Sequence, residues 1–470
     1  MADLTLAKIF SDHMVLQRES TVPIWGTATP AAEMVIRFAE KEYKAKADAK
    51  GRWSSNLEIG KAGGPFELEV SEVGSELTIG VSNIMVGDVW ICSGQSNMEW
   101  PVSKALNPDT EIEQAKNFSN IRLFQVGESA SPKPLDDFGV VKSWAVCSPD
   151  SVADFSAVGY FFAKSLSKDL KDVPVGLVDV SWGGTRCEGW TSAEAIGQQE
   201  SLKPLLDHWK ESEEVSSPDH PGHIFNSMIS PLTQFPVKGV IWYQGEANVG
   251  RGHQYRTLFP TLIKDWRTRF NNPQLPFLFV QLAPYKYEGA GEFALQELWD
   301  AQLHTAREVS GTAMAVITDV GDLEDIHPRN KQAVGQRLAG LAMEKVYADP
   351  ESKDKPKAVA GGALFQSIAT QGNVVRVTFS QVGEKLLPSN EEAPLSGFQI
   401  CGADKVFHPA EAKVVGDVVV EVKSEKVPEP IAVRFGWNGE FDMNLNNAAG
   451  HPVAPFRSDD FPMESADKHF

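Results

Sequence analysis

The spacing of apolar and polar positions changes twice along the chain. Up to about residue 85, short apolar or alternating stretches are separated by Gly and Pro, a pattern typical of a β-sandwich. From there to about residue 348, continuous apolar runs alternate with amphipathic segments such as Ala157–Leu170, which predicts a parallel sheet covered by helices. The apolar runs are Val89–Cys92, Ile121–Val126, Val175–Val180, Val237–Tyr243, Phe277–Leu282 and Ala313–Thr318.

The second change follows Asp349–Lys357, a stretch of Lys, Asp, Glu and Pro that we interpret as a linker. Short β-like runs such as Val374–Phe379 and Val418–Val422 come after it. We therefore predict three regions: an N-terminal β-sandwich-like domain (1–86), an α/β domain (87–350) and a C-terminal β region (351–470).

Composition excludes several classes of partner. The net charge of −19 and the pI near 5.0 repel phosphate backbones, so we expect no nucleic-acid partner. No run of eighteen apolar residues is present, so we expect no membrane span. Met1–Phe10 carries no cleavage-site pattern, so we expect no signal peptide within this chain. The oligomeric state is not predicted.

The cysteines argue against metal or redox chemistry at thiolates. None forms a C-x-x-C pair, so a thiolate zinc site or a redox motif is not expected. We predict buried free thiols. The four are Cys92, Cys147, Cys187 and Cys401.

Four polar clusters, at 93–98, 181–185, 242–248 and 319–328, directly follow predicted strands. In open α/β sheets the chemistry lies at the carboxyl ends of the strands. Taken singly, each cluster has an ordinary structural explanation as a helix cap, a turn or a solvated acidic loop. Their succession along one sheet edge is what favours a site.

Each cluster supplies a different part of an acyl-transfer site. Ser96 follows a buried strand, where free backbone N–H groups stabilise an oxyanion. The glycine pair ending at Gly184 exposes further N–H groups, and the amides of Gln244 and Asn248 could donate to the same oxygen. His327, preceded by several acids, is a candidate base held by a carboxylate.

Together these clusters resemble the SGNH hydrolase superfamily, and more narrowly the sialate O-acetylesterase family with its acetylxylan-esterase relatives. The resemblance extends from about residue 10 to about residue 340 and implies a three-layer, flavodoxin-like parallel sheet flanked by the two β regions. It is carried by Gly94–Met98, Trp182–Thr185, Trp242–Glu246 and Ile326–Lys331, with Phe10–Gln17 and Pro23–Gly26 in the leading β domain.

The resemblance implies that Ser96 attacks the acyl carbon and that His327 takes its proton and passes it to the leaving sugar hydroxyl. The superfamily places an Asp three residues before the His, but here that position holds Glu324. We expect Asp325 to be the acid of the triad, with Glu324, or a Ser-His dyad oriented by a backbone carbonyl, as alternatives.

The oxyanion is expected to bind the N–H of Ser96, the N–H of Gly184 (or Gly183) and one side-chain amide. The superfamily uses an Asn in a G-x-N-D block, which this chain lacks, so Gln244 is preferred and Asn248 is the alternative.

Five residues near these motifs are candidates for substrate binding. Indole faces stack on sugar rings, and an arginine behind the glycine pair could bind a sialic-acid carboxylate. At least two of the tryptophans near the motifs are expected in the core. The candidates are Gln95, Trp182, Arg186, Trp190 and Glu246.

We therefore expect a carboxylic ester hydrolase that removes O-acetyl groups from carbohydrate, on sialate or on acetylated xylan, through an acyl-enzyme and without metal or cofactor. The family resemblance implies a secreted or periplasmic location. Two alternatives are a carbohydrate-binding protein with a degenerate esterase domain and an esterase for longer acyl chains.

Overall fold

The computed structural model describes residues 4–210, 217–348, 360–390 and 392–469. The N-terminal region is β, as predicted, and its strands alternate between buried and exposed positions. In β4, for example, Met34, Ile36 and Phe38 are buried. The strands are β1 (Thr5–Leu6), β2 (Val15–Gln17), β3 (Ser20–Thr27), β4 (Glu33–Phe38), β5 (Lys41–Lys46), β6 (Arg52–Ile59), β7 (Gly63–Glu72) and β8 (Thr78–Gly94).

Strand β8 joins the N-terminal region to the central sheet without a break. It is 17 residues long. Its first half pairs with β7 and β2, and its second half, from Asp88, continues into the central sheet. The boundary predicted at residue 86 therefore falls inside one continuous strand.

The central sheet has the order β10-β9-β11-β8-β12-β13-β14. All its neighbours pair in parallel except β10, an antiparallel edge strand, so the sheet is mixed rather than purely parallel. Every residue of β11, β12 and β13 is buried, which explains their continuous apolar sequences. The added strands are β9 (Ile121–Val126), β10 (Val140–Val146), β11 (Val175–Ser181), β12 (Gly239–Tyr243), β13 (Phe277–Val280) and β14 (Thr312–Ala315).

The long helices pack in two pairs, α4 with α9 and α7 with α8. Gly335 allows the close approach of α9 to α4, because a Cβ there would lie 2.6 Å from Cβ of Phe161. Within the described ranges, no helix has both the length and the apolar character needed to cross a bilayer. The helices are α1 (Ser96–Glu99), α2 (Pro108–Gln114), α3 (Pro149–Val152), α4 (Ala157–Leu170), α5 (Ala193–Gly197), α6 (Lys203–Trp209), α7 (Gly252–Arg269), α8 (Ala294–Glu308) and α9 (Lys331–Ala342).

In its described residues, the C-terminal region contains two four-stranded antiparallel sheets and a two-stranded pair. Phe456 joins the sheets by stacking on Phe365 with ring centroids 4.4 Å apart and by packing on Phe435. The predicted linker at 349–357 lies outside the described residues. The strands are β15 (Leu364–Gln371), β16 (Val374–Ser380), β17 (Leu387–Pro388), β18 (Phe398–Cys401), β19 (His408–Pro409), β20 (Glu411–Val414), β21 (Val419–Lys423), β22 (Ala432–Phe435), β23 (Leu445–Asn446) and β24 (Phe456–Arg457).

The final segment of the chain returns to the α/β region. The buried carboxylate of Glu297 in α8 accepts hydrogen bonds from the backbone N–H groups of Glu464 and Ser465. The four cysteines are buried and unpaired, as predicted.

Candidate active site

The nucleophile candidate lies where the carboxyl ends of β8 and β12 meet. Gly94 adopts φ +139°, and a Cβ there would lie 2.1 Å from the carbonyl oxygen of Tyr243. Only glycine permits this approach, and it lets the N–H of Gln95 donate to that same carbonyl at 3.0 Å. The turn places Ser96 at the start of α1.

Ser96 and His327 are in direct contact although 231 positions separate them in sequence. The Oγ of Ser96 lies 2.9 Å from Nε2 of His327, which is carried by the loop between β14 and α9. The indole of Trp100 stacks on the imidazole, with centroids 4.7 Å apart and planes 16° from parallel. Partial burial, and secondarily the charge of Lys331, lower the pKa of His327 below its ordinary value, so the neutral form that a general base requires is favoured.

The two acid candidates occupy different environments. Oδ1 of Asp325 lies 3.9 Å from Nδ1 of His327, which is longer than a hydrogen bond, and accepts the backbone N–H of His327 at 2.9 Å. Glu324 instead binds the ammonium group of Lys286 at 2.7 Å, with its own side chain 80% exposed. Asp325 is therefore the acid nearer to the imidazole.

The two N–H groups of the glycine pair, Gly183 and Gly184, have different environments. The N–H of Gly183 donates to Oε2 of Glu99 at 2.7 Å. Gly184 has φ +75° and open space where a Cβ would stand, and no acceptor in the described part of the chain takes its N–H. Gly184, and not Gly183, therefore presents a donor.

The structure places the two amides expected at the oxyanion in other contacts. The Nε2 group of Gln244 donates to the carbonyl of Thr185 at 3.2 Å and to Oδ1 of Asn248 at 2.7 Å. Nδ2 of Asn248 donates to Oε2 of Glu188 at 2.9 Å. Both residues are buried. Either amide would have to leave a buried partner to reach an acyl oxygen, so the geometry disfavours this expected role.

Gln95 and Glu246 support the nucleophile turn from within. Oε1 of Gln95 accepts the backbone N–H groups of Gly245 and Ala247 at 3.2 and 3.3 Å. Oε1 of Glu246 accepts from Nδ2 of Asn97 at 2.6 Å. Both side chains are almost fully buried, so the geometry favours support of the turn over the expected contact with substrate.

The aromatic candidates separate into core and surface. Trp190 and Trp242 are fully buried and pack edge to face, which confirms that two of these tryptophans are core. The burial of Trp190 disfavours its expected contact with substrate. Trp182 is partly exposed. Arg186 is 36% exposed and lies 4.0 Å from Oδ2 of Asp219, so these two side chains can reach a ligand.

Two buried side chains at the site were not singled out from the sequence. Nδ2 of Asn97 donates to the carbonyl of Ile326 at 2.9 Å, next to His327, and Oδ1 of Asn97 accepts from the ammonium group of Lys331. The signal was present in the sequence, because both residues stand inside the stretches that carry Ser96 and His327.

Behind the glycine pair, β11 carries a buried carboxyl group. Asp179 accepts a hydrogen bond from Oγ of Ser181 at 2.6 Å. Burial, with a smaller contribution from Glu99, raises the pKa of Asp179 to about 7. Within the described residues, no three His, Cys, Asp or Glu side chains are grouped so that they could hold a metal ion.

Comparison with known proteins identifies the family of this chain. Residues 86–344, more than half of the chain, match the family model described as carbohydrate esterase, sialic acid-specific acetylesterase. The sialate O-acetylesterase of Mus musculus is 32% identical over 399 residues, covering 73% of each chain. That of Homo sapiens is 30% identical over 383 residues, covering 73% of this chain and 71% of its own.

A solved structure is similar over nearly the whole length. A carbohydrate acetylesterase from Xanthomonas citri superimposes with a TM-score of 0.87 at 37% sequence identity, covering 97% of this chain and 100% of its own. The chain therefore belongs to the sialic acid-specific acetylesterase family of carbohydrate esterases and is a carboxylic ester hydrolase.

Proposed function

We propose that this enzyme removes O-acetyl groups from carbohydrate through a Ser-His-Asp triad and an acyl-enzyme, with sialate acetyl esters as the first substrate to test. The observation that carries the proposal is the 2.9 Å contact between Oγ of Ser96 and Nε2 of His327. Its place beside the free N–H of Gly184 supports acyl transfer, because nucleophile, base and oxyanion donor converge.

In the first half-reaction Oγ of Ser96 attacks the acetyl carbonyl carbon while Nε2 of His327 accepts the hydroxyl proton. The resulting oxyanion binds the backbone N–H of Gly184 together with that of Ser96. The intermediate collapses as His327 returns the proton to the sugar oxygen, which leaves as an alcohol, and the acetyl group stays on Ser96.

In the second half-reaction water attacks the acetyl-serine. His327 takes a proton from the water and then gives it to Oγ of Ser96, and acetate is released. Asp325 stabilises the imidazolium through its charge at 3.9 Å, while its hydrogen bond to the backbone of His327 fixes the loop. The reaction consumes one water and needs no other co-reactant.

We also propose that the α/β region has the three-layer arrangement of the SGNH superfamily. With β9 and β10 set aside, the order β11-β8-β12-β13-β14 follows the flavodoxin-like pattern 2-1-3-4-5. In that pattern ligands bind where the strand order reverses, and Ser96 follows β8 at that point. The two helix pairs, α4 with α9 and α7 with α8, fit the outer layers.

Trp182 and Arg186 are the proposed contacts to the sugar. Both side chains reach the surface beside Gly184, whereas the other candidates are buried. The guanidinium of Arg186 suits the carboxylate of a sialic acid, and Asp219 at 4.0 Å would hold it in place. A neutral acetylated glycan would use the indole of Trp182 alone.

The test is acetate release from 9-O-acetyl sialic acid and from acetylated xylan, by wild type, Ser96→Ala and Ser93→Ala. Ser93 is the control, since it is a buried serine near the end of β8, three positions before Ser96. We expect Ser96→Ala to lose activity by about a thousand-fold or more and Ser93→Ala to keep it. Release from neither substrate, or an unimpaired Ser96→Ala, would overturn the proposal. Chain-length preference on p-nitrophenyl esters separates acetyl specificity from a broader esterase.

A further inference from the structure

Asn97 links the nucleophile turn to the backbone of the loop that carries the general base. It stands next to Ser96, and its Nδ2 group bonds both the carbonyl of Ile326 (2.9 Å) and Oε1 of Glu246 (2.6 Å). Its Oδ1 accepts from the ammonium group of Lys331. One buried amide thus fixes four chain segments relative to each other.

Lys331 is the charged member of this group. It is fully buried, and its ammonium group lies 5.2 Å from the ring centroid of Tyr243 and 5.9 Å from that of Trp100. Trp100 in turn stacks on His327. Burial lowers the pKa of Lys331 to about 7, against the opposing charges of Glu246 and Asp325, so the ammonium form dominates below neutral pH.

The charges that face His327 come from three chain segments. Burial lowers the pKa of His327 most. Lys331, at the start of α9, and Lys104, after α1, lower it further, whereas Asp325, on the loop of His327 itself, raises it. Of the two cations Lys331 has the larger effect, and its position is fixed because it is buried and held by Asn97. Loss of the Lys331 charge would therefore make the imidazole a stronger base.

We propose that Asn97 is a positioning residue that holds His327 against Ser96, and that Lys331, held by Asn97 and lying over the ring of Trp100 that stacks on His327, is a fixed positive charge that acts on the imidazole. The inference rests on the proposed function, because it assigns the support of that same serine and histidine. The bond from Asn97 to the carbonyl of Ile326 sets the loop, and the loop sets the Ser96–His327 distance.

The experiment compares Asn97→Asp, Lys331→Met and the control Lys286→Met in the full chain. Asn97→Asp keeps the shape and the acceptor for Lys331 but loses the donor to the carbonyl of Ile326 and to Oε1 of Glu246, and it adds a negative charge. We expect kcat on p-nitrophenyl acetate to fall by about a hundred-fold with KM nearly unchanged, since a small displacement of reacting groups costs that much.

Lys331→Met removes the charge and replaces the lysine by a side chain of similar size. We expect the acid limb of the kcat/KM profile to move to higher pH by roughly one unit, because a more basic imidazole loses its proton only at higher pH. The titration of His327, followed by NMR and identified by its absence in His327→Asn, should move the same way. Lys286, exposed and paired with Glu324, should give a wild-type profile when replaced by Met.

The outcomes separate the two levels of inference. A wild-type kcat in folded Asn97→Asp would overturn the positioning role of Asn97. An unmoved His327 titration in folded Lys331→Met would overturn the charge role of Lys331. Full activity in Ser96→Ala would instead overturn the proposed function. The NMR titration does not depend on activity, so it decides the role of Lys331 in either case.

Discussion

Replacing Asp325 by Asn tests how much the acid contributes at its observed distance. Asn keeps the side-chain shape and the acceptor for the backbone N–H of His327, so the change removes mainly the charge. Two unit charges 3.9 Å apart attract by about 1 kcal/mol in water and by about 4 kcal/mol at an effective dielectric constant of 20. Because the Asp325 side chain is 52% exposed, screening favours the lower value.

A loss of about 1 kcal/mol in the transition state corresponds to a five- to ten-fold fall in kcat. By contrast, a buried triad carboxylate hydrogen-bonded to Nδ1 is worth about ten-thousand-fold. The assay is steady-state hydrolysis of p-nitrophenyl acetate by wild type and Asp325→Asn at low and high salt. We expect the difference in kcat between the two proteins to shrink as salt increases.

Glu324→Gln is the matched control. It also removes one negative charge, at the neighbouring position, but the Glu324 side chain binds Lys286 and not His327. We expect it to change kcat by less than two-fold. A thousand-fold loss in Asp325→Asn would refute the reasoning, since it would require the carboxylate to close onto Nδ1 during catalysis. Equal activity of the two variants would show that the charge of Asp325 contributes nothing.

Two further predictions concern buried polar groups. Burial raises the pKa of Asp179 from 3.8 to about 7, so the folded state retains a proton that the unfolded chain releases, and stability present below pH 4 is lost as the pH rises toward 7. Asp179→Asn should therefore raise the free energy of unfolding by up to roughly 4 kcal/mol at pH 8 and leave it unchanged near pH 3, as measured by denaturant unfolding; equal effects at both pH values would contradict this. Gln244→Leu should lower the free energy of unfolding by about 2–4 kcal/mol, because it leaves the carbonyl of Thr185, Oδ1 of Asn248 and the hydroxyl of Tyr255 with fewer partners. Its kcat should fall by less than ten-fold. A loss of a hundred-fold or more at unchanged stability would instead support Gln244 as the side-chain donor to the oxyanion.

The central strands could be predicted because burial on both faces leaves a continuous apolar sequence. Their ends could not, since apolar sequence reports burial and not pairing. Val316 and Ile317 are fully buried although β14 ends at Ala315. Strand β10 was not predicted because it lies at an edge of the sheet, where most of its positions are partly exposed. Strand β8 passes from one region to the next with no break in pairing to mark residue 86.

The site was predictable in its positions more than in its side-chain directions. The strand ends and the motif resemblance predicted that Ser96, Gly184 and His327 lie at one edge of the sheet. This could be predicted because their positions depend on the course of the backbone. The direction of a buried amide depends on partners distant in sequence. Gln244 turns toward Thr185 and Asn248, and no local pattern shows those bonds.

The charges around His327 also explain how a distant acid can suffice. Burial, and then the charges of Lys331 and Lys104, lower the pKa of His327, while Asp325 raises it, so the imidazole is a weaker base than an ordinary histidine. In the proposed mechanism a weaker base accepts the proton of Ser96 less readily, but its protonated form returns that proton to the sugar oxygen more readily. A sugar alkoxide is a poor leaving group. Such a site would therefore assist deprotonation of Ser96 less and protonation of the leaving sugar oxygen more. In the proposed mechanism the N–H of Gly184 stabilises the oxyanion, which adds to the weak stabilisation of the imidazolium that Asp325 provides at 3.9 Å.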